Sequence, residues 1–171
     1  MELVTSISRP GTPDSFRSLM AGFPSGVAVI TAADGDDKPW GMTCSALCSA
    51  SVEPPTLLVG MRLESPTLAA AMHSGRFTVN LLHAAARDTA ALFASGAPNR
   101  FDLVTWHTPD DAGGPHLTRD ARAVADCRVT QTVRIGGQRM VFGEVYRISE
   151  PADDRPPLLY GLRRFASWPT D

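Results

Sequence analysis

The segment WGMTCSALCSASVEPPTLLVGMRLESPT, from Trp40 to Thr67, decides the fold and predicts two strands followed by the start of a helix. The first predicted strand, Gly41 to Ser51, is rich in small hydroxyl and thiol side chains, which let a ligand lie close to the backbone. The Pro54-Pro55 pair cannot donate ladder hydrogen bonds and ends this strand. The second strand, Thr56 to Arg62, is apolar and carries Gly60 near its end, where another backbone can come close.

A predicted helix follows and begins with a favourable N-terminal sequence. Ser65 occupies the N-cap position, Pro66 the first helical position, and an alanine-rich run continues to about Ser74. Because free N–H groups and the helix dipole attract anions, this start with Arg62 nearby predicts a phosphate site. Together with the small-residue strand, it suits a flat ring that carries a phosphate, such as a flavin nucleotide. The same residues are also compatible with an ordinary helix cap beside a strand packed under a loop.

The N-terminal region predicts one amphipathic helix before the first strand. Residues 1–11 are predicted to form a loose arm, and Thr12 is the expected N-cap of a helix with Pro13 in its first turn. Apolar side chains at helical spacing predict a stripe that docks on the core: Phe16, Leu19, Met20 and Phe23. The β-branched run Gly26 to Thr31 predicts a strand.

The rest of the chain predicts more strands than helices. The expected elements are a strand from Arg76 to Leu82, a short helix from Arg87 to Ala94, an irregular passage from Ser95 to His116, long β stretches from Ala121 to Ile135 and from Arg139 to Glu150, and a final strand or ordered tail from Leu158 to Phe165. Gly136-Gly137 between the long stretches indicates a tight hairpin. Many antiparallel strands with a few short peripheral helices predict a mainly β (α+β) fold, in which a closed barrel would leave few exposed edges.

Composition excludes several classes of function. The 171 residues favour one domain spanning 1–171, and the formal net charge of −2 gives no electrostatic footprint for nucleic acid or an anionic membrane. No apolar run is long enough to span a membrane, and the N-terminus has no apolar signal region. We therefore expect a cytoplasmic protein. The three cysteines and four histidines lack the spacing of a disulfide scaffold or a zinc site, so we expect no metal.

Motifs for other chemistries are also missing from the sequence. There is no Gly-x-Ser-x-Gly elbow, no P-loop and no Gly-x-Gly-x-x-Gly fingerprint. A redox reaction would therefore depend on a bound cofactor. Hydride transfer from a nicotinamide to a flavin needs little from side chains beyond stacked rings and donors at the flavin edge, where negative charge grows.

Short motifs recur in order from about Phe16 to Phe165. They are Pro24-Ser25-Gly26-Val27, Gly41-Met42-Thr43-x-Ser45, Pro54-Pro55, Ser65-x-Thr67, Ser74-Gly75-Arg76-Phe77 followed by Val79-Asn80, Arg100-Phe101, Gly143-Glu144-Val145, and Leu158-Leu159-Tyr160 to Arg164-Phe165. In order and spacing they resemble the flavin reductase family. The resemblance implies an antiparallel split β-barrel with Greek-key character and a homodimer with the flavin near the subunit boundary. It also implies an NADH- or NADPH-dependent reductase that supplies reduced FMN or FAD to a partner monooxygenase.

The resemblance also implies site residues. Thr43, Cys44 and Ser45 would line the flavin ring, and Arg62, Ser65 and Thr67 would hold its phosphate. The remaining expected flavin contacts are Met61, Phe77, Asn80, Arg100 and Phe101, and the expected nicotinamide contacts are Ser25, Gln138 and Arg139.

One position departs from the family pattern. Members commonly carry Gly-Asp-His at the hairpin turn, with the histidine against the nicotinamide, whereas here Gln138 occupies that position. Glutamine can hydrogen-bond a carboxamide but cannot become a cation near neutral pH. Arg139 could supply a positive charge to the dinucleotide phosphates. Gln138 keeps a non-catalytic flavin carrier as an alternative, and a small-ligand barrel without flavin is a third interpretation. The sequence leaves open FMN against FAD and NADH against NADPH.

Overall fold

The computed structural model describes residues 8–150 and 154–168. Most of the predicted N-terminal arm lies outside these residues. The helices are α1 (Pro13–Ala21), α2 (Pro66–Ser74), α3 (Arg87–Ser95) and a 3₁₀ turn (Arg100–Leu103). The strands are β1 (Ser25–Gly26), β2 (Ala28–Ala33), β3 (Pro39–Cys44), β4 (Leu47–Val52), β5 (Pro55–Arg62), β6 (Arg76–Leu82), β7 (Ala121–Ile135), β8 (Gln138–Ser149), β9 (Leu158–Gly161) and β10 (Arg164–Ser167).

The strands form two antiparallel sheets. The larger has seven strands in the order β3-β2-β6-β7-β8-β5-β4, and the smaller has the order β1-β9-β10. Ser45 and Ala46 join β3 directly to β4, although these strands lie at opposite edges of the larger sheet. The sheet is therefore rolled so that its edges meet at this corner. The predicted antiparallel fold with few peripheral helices is confirmed. The barrel is split rather than closed, because β3 and β4 do not pair within the described residues.

The predicted single strand from Gly41 to Ser51 is wrong, since it is two strands separated by the corner. The amide of Gly60 donates a 2.8 Å hydrogen bond to the carbonyl of Ala46, and the Cys44 thiol lies 3.6 Å from the Gly60 carbonyl. These contacts hold β5 against the corner, so the chain turns there instead of continuing. A Cβ on Gly60 would lie 3.1 Å from the Ala46 side chain, so a larger residue would require the corner to shift.

Helix α1 has the predicted N-cap but not the predicted docking. The Thr12 hydroxyl accepts a hydrogen bond from the Ser15 amide, and the Thr12 amide donates one to the Ser15 hydroxyl. However, the helix contains no buried residue. Phe16, Leu19 and Phe23 are 59, 70 and 66 % exposed. The expectation that the stripe covers this chain's own core is wrong, because the stripe faces outward.

The predicted hairpin of β7 and β8 is confirmed. Ile135 pairs with Gln138 across the Gly136-Gly137 turn, and Gly136 has a φ of 56°, a left-handed conformation that glycine adopts without strain. The C-terminal segment divides into β9 and β10 rather than one strand, with Leu162 and Arg163 at positive φ in the turn.

Two apolar clusters fill the fold on either side of β2 and β3. Helix α2 covers one cluster, which contains Ile30, Val59 and Phe77. Helix α3 and the aromatic ring of Phe101 cover the other, together with Val29. Because both faces of β2 are buried, its residues are apolar almost throughout rather than strictly alternating.

A buried polar network ties the long loop between the 3₁₀ turn and β7 to the sheet. The carboxylate of Asp126, 1 % exposed, accepts hydrogen bonds from Thr78 Oγ1 at 2.6 Å, Gly113 N at 2.9 Å, His116 Nε2 at 3.0 Å and Arg147 Nε at 2.7 Å. Burial opposes ionisation, but the donors outweigh it, and the pKa of Asp126 lies well below its ordinary value. The loop is therefore fixed by an ionised aspartate.

We expect Asp126→Asn to lower the free energy of unfolding at neutral pH by about 3 kcal/mol. This is the low end for breaking a buried pair, because the Arg147 side chain is 32 % exposed. The depressed pKa means that the wild-type contribution is present above the unfolded pKa of about 3.9 and is lost as the pH falls toward the folded pKa. The free energy of unfolding, measured with urea from pH 7 to pH 3, should therefore fall less with decreasing pH in the variant than in the wild-type protein.

The exposed Asp102 provides the control. Asp102→Asn should leave the free energy of unfolding unchanged within about 0.5 kcal/mol, both at pH 7 and at the lower pH values. Equal stability of the Asp126→Asn and Asp102→Asn variants at pH 7 would contradict a structural role for the network.

Candidate functional site

A groove of about 540 Å³ lies along the open edge of β3. The start of α2 forms one wall, and the end of α3 with the 3₁₀ turn forms the other. Five predicted flavin-site residues line it: Thr43, Arg62, Ser65, Thr67 and Arg100. The fold thus brings together residues that are up to 57 positions apart, from Thr43 to Arg100.

The edge of β3 offers free backbone groups to the groove. The Gly41 carbonyl points away from β2, because it accepts a 3.0 Å hydrogen bond from Arg100 Nε. In an antiparallel pair, alternate residues present their amide and carbonyl to the same side. The amide and carbonyl of Thr43 therefore lie on the same open edge, while the Thr43 hydroxyl is held by the Ala90 carbonyl at 2.6 Å. Such an edge can pair with the donors and acceptors along one side of a heteroaromatic ring.

Gly41 allows the groove to come this close to the aromatic core. A Cβ at this position would lie 2.7 Å from the Phe93 ring and 3.1 Å from the Phe101 ring. A larger residue would therefore push α3 or the 3₁₀ turn away from β3 and change the width of the groove.

The start of α2 leaves backbone amides free at the groove, because Ser65 forms no capping hydrogen bond. Ser65 occupies the N-cap position without a side-chain capping bond. Instead, its hydroxyl lies 3.2 Å from the sulfur of Met42 and contacts it as a hydrogen-bond donor. Pro66 has no N–H, so the unpaired helical amides that remain are those of Thr67 and Leu68. The predicted N-cap position of Ser65 is confirmed, but its side chain forms no capping hydrogen bond, so the amides that such a bond would have satisfied remain open for a ligand.

Charges around this helix end are mixed but favour an anion. Arg62 is exposed at the end of β5, and within the described residues its guanidinium forms no ion pair or hydrogen bond. Glu64 also lines the groove and carries the opposite charge. Because the helix N-terminus is itself positive, Arg62 and the free amides together outweigh the single carboxylate.

Arg100 holds the groove wall rather than reaching into solvent. It is 7 % exposed, and besides Gly41 its guanidinium donates to the carbonyls of Gly96 at 3.3 Å and Ala97 at 2.7 Å. Burial lowers the pKa of Arg100, which nevertheless stays far above neutrality. The residue contributes its charge to the groove while it links α3 to the β3 edge.

Several predicted flavin contacts lie in the interior and not in the groove. Phe101 packs edge-on against Phe93, with ring centroids 5.1 Å apart. The side chains of Met61, Phe77 and Asn80 are 0 % exposed. These four side chains therefore do not line the groove, and this geometry does not support their predicted flavin contacts.

Asn80 illustrates the structural role. Its amide nitrogen donates to the carbonyls of Val29 and Pro115, both at 3.2 Å, and its oxygen accepts from the Leu117 amide at 2.8 Å. Cys44 is also interior, at 4 % exposure, and burial raises its thiol pKa to about 11. This thiol is therefore not a nucleophile at neutral pH.

Ser45 and Ser25 line a second hollow of about 590 Å³, which lies beside α1 and the outer face of β5 and β8. Ser45 also borders a third hollow, of about 490 Å³, that it shares with Thr43 and the β9–β10 hairpin. Thr43 borders both the groove and this third hollow. A ligand at Thr43 can therefore extend from the groove toward Ser45.

The two hairpin residues face different sides of the sheet. Gln138 pairs with Arg62 across the β5–β8 ladder, and Arg139 pairs with Met61. Paired residues share a face with Cβ atoms about 5 Å apart, so Gln138 lies next to a groove residue. Arg139 instead faces α2, where its Nη1 lies 3.9 Å from the Met72 sulfur. Its Nε has no hydrogen bond within the described part of the chain.

Some groove residues were missed by the sequence reasoning. The main ones are Trp40, Met42, Glu64, Phe93 and Pro98. Trp40 and Met42 lie inside the segment that the sequence analysis singled out, and their alternation with Gly41 and Thr43 could have marked them as neighbours of an exposed strand edge. Phe93 and Pro98 carry no local signal of this kind.

Two further features concern alternative functions. The residues described contain no cluster of three or more histidine, cysteine or acidic side chains able to hold a metal ion. Among these residues, no helix has the length and apolar character needed to cross a membrane.

Comparisons with known proteins agree with this geometry. A flavin reductase (NADPH) from Lentzea aerocolonigenes is 44 % identical over 169 residues, which cover 97 % of this chain and 98 % of that protein. The reductase subunit HsaB of a flavin-dependent monooxygenase from Mycobacterium tuberculosis is 36 % identical over 149 residues, covering 86 % and 78 % of the two chains.

Among solved structures, the NADH:FAD oxidoreductase SgcE6 of Streptomyces globisporus C-1027, in complex with NAD and FAD fragments, is similar with a TM-score of 0.88. It is 25 % identical, and the match covers 98 % of this chain and 99 % of that one. Residues 20–169 match the family described as flavin reductase like domain. The chain therefore belongs to the flavin reductase family.

Proposed function

We propose that the protein is an NAD(P)H-dependent flavin reductase that reduces FMN or FAD and supplies the reduced flavin to a partner monooxygenase. The observation that carries the proposal is the groove, in which the open β3 edge at Thr43 lies beside a helix N-terminus with free amides and beside Arg62, which has no partner among the described residues. A ring with a hydrogen-bonding edge and a phosphate on a flexible chain matches this arrangement. The reductase activities named for the NADPH-dependent relative and for SgcE6 support the choice.

In this proposal each wall of the groove has one task. The amide and carbonyl of Thr43 orient the flavin ring by its polar edge, and Gly41 keeps the strand accessible to it. The Thr67 and Leu68 amides with Arg62 bind the phosphate. When bound, the nicotinamide supplies a hydride and the flavin accepts it; the protein aligns the two rings and places N–H donors where negative charge grows.

Gln138 is the residue that we assign to the nicotinamide. It lies opposite Arg62 at the groove, and its side-chain amide can donate to and accept from a carboxamide. It cannot supply a proton or a cation near neutral pH. The presence of glutamine where family members commonly carry histidine also favours a second candidate function, that of a flavin carrier that no longer uses nicotinamides. Arg139 and Ser25 remain proposed nicotinamide contacts, although Arg139 faces α2 and Ser25 lines the separate hollow beside α1.

The proposal includes a homodimer with the flavin near the subunit boundary. The outward stripe of α1 adjoins an apolar hollow formed by Phe16, Met20, Leu58 and Met140. Exposed apolar surface of this extent marks interaction sites in soluble proteins. Ser45 links this hollow to the third hollow and hence to Thr43, so a second copy seated here would lie close to the flavin ring.

A cytoplasmic location is part of the proposal and is supported by three unpaired cysteines.

The phosphate assignment predicts a selective loss of affinity in Arg62→Ala. One hydrogen bond to a charged group contributes about 1.5–3 kcal/mol, so the dissociation constant for FMN should rise by about tenfold or more. Riboflavin lacks the phosphate, and its affinity should change less than twofold. Fluorescence titration measures both constants.

Arg134→Ala is the matched control, since Arg134 is an exposed arginine on the opposite face of the hairpin from Arg62. It should leave both dissociation constants unchanged. If Arg62→Ala weakens FMN and riboflavin equally, Arg62 does not bind the phosphate.

The role of Gln138 predicts a pH-independent reduction step. Anaerobic stopped-flow mixing of protein, flavin and NADH or NADPH should show single-turnover flavin reduction at a rate that varies less than about threefold from pH 5.5 to 8.5, because glutamine does not titrate. Gln138→His should introduce a pH dependence with a midpoint near the ordinary histidine pKa of about 6.5.

This experiment also separates the two candidate functions. A parent protein that binds flavin but transfers no hydride from either nicotinamide at any of these pH values would reject the reductase and favour the carrier.

The dimer assignment predicts that Leu19→Asp dissociates the protein. Leu19 is 70 % exposed on the α1 stripe, so the substitution should leave the subunit folded and place a charge in the proposed interface. Sedimentation at micromolar concentration should report a monomer. The flavin affinity should fall as well, because the proposed dimer interface lies close to the flavin ring.

Leu103→Asp makes the same change at a leucine 62 % exposed on the 3₁₀ turn, and this variant should remain dimeric. A parent protein that is monomeric at all concentrations tested would refute the proposed dimer.

A further inference from the structure

Trp40 lies at one end of the groove and has no part in the site described so far. Its indole lines the groove and is half-buried. The indole nitrogen donates a 2.8 Å hydrogen bond to Asp34 Oδ2, and the same carboxylate accepts the Lys38 amide at 3.1 Å. The ring is therefore oriented by the β2–β3 turn, and it presents a rigid aromatic surface to the groove.

The order of residues along β3 places this aromatic surface beyond the proposed phosphate position. Thr43 is at the proposed ring position, and Met42 contacts Ser65 at the proposed phosphate position. Trp40 lies beyond Met42, on the side away from Thr43. Three residues of extended strand span about 10 Å. A ligand that continues past the first phosphate in the same direction therefore reaches Trp40.

The charges near the indole also suit such an extension. The Lys38 ammonium lies 4.5 Å from the Trp40 ring centroid, and the Arg100 guanidinium carbon lies 6.0 Å from it. FAD differs from FMN by an AMP unit, which adds a second phosphate and an adenine. Lys38 lies over the indole and is exposed, so its side chain can turn toward the second phosphate and leave the ring face to the base, on which the indole stacks.

We propose that Trp40 is the stacking surface for the adenine of FAD and makes the protein select FAD over FMN. The inference rests on the proposed flavin groove and names which flavin it takes. Lys38 assists by facing the second phosphate. The isoalloxazine contacts are common to both flavins, so the selectivity arises at the Trp40 end of the groove alone.

The test compares dissociation constants for FAD and FMN, measured by flavin fluorescence, in the parent and three variants. Stacking of one base on an aromatic side chain is expected to favour FAD by about tenfold in the parent. Trp40→Leu should raise the FAD constant by about tenfold and change the FMN constant much less. Trp40→Phe should keep most of the preference. Trp168→Leu, at a tryptophan 62 % exposed outside the groove, should behave as the parent.

A competition experiment on the parent does not depend on any variant. AMP should raise the apparent FAD constant and leave FMN binding unchanged, because AMP and FMN would occupy different parts of the groove.

Equal affinity for FAD and FMN in the parent, or equal weakening of both in Trp40→Leu, would overturn the role of Trp40, as would AMP that displaces both flavins or neither. A parent that binds and reduces FMN without FAD selectivity refutes only this inference. A parent that binds neither flavin refutes the proposed function.

Discussion

The site depends on a sheet edge that is left unpaired and then held open. Residues Gly41 and Thr43 present backbone groups outward from β3, and two contacts fix the position of that edge. Arg100 Nε donates to the Gly41 carbonyl at 3.0 Å, and the Thr43 hydroxyl donates to the Ala90 carbonyl at 2.6 Å. An exposed edge normally invites aggregation. Here α2 and α3 flank it, so only a ligand of limited thickness can reach the strand.

Buried polar side chains also fix a loop on the far side of the sheet. Asp126 and Asn80 are fully buried, yet each forms hydrogen bonds that fix the loop around Gly113 and Pro115. Close contact of Gly114 with the backbone of β2 leaves no room for a side chain. Because buried polar groups cost free energy unless they are paired, this loop has one favourable position. The sheet beneath the groove is thereby rigid, while α1 remains on the surface with its apolar stripe exposed.

Much of the local structure was predictable because local chemistry decides it. The Thr12 cap, the Pro66 helix start and the Gly136-Gly137 hairpin are each specified by a few neighbouring residues. The helix end near Ser65 was predicted as an anion site, but the way it is kept open was not. Met42, distant in sequence, draws the Ser65 hydroxyl away from the helix amides. A side chain with two possible partners cannot be assigned from its own neighbours.

The sequence by itself determined most of the antiparallel strands, the helix ends, the family and five residues of the groove. Only the tertiary structure decided which candidates face a ligand. Phe77 and Asn80 belong to a strand that is covered on both faces, so alternation could not reveal that they are interior. Trp40, Arg62 and Phe93 meet across one groove because the sheet rolls until its edges touch at Ser45 and Ala46. That roll follows from many long-range contacts, each too weak to leave a local signature in the sequence.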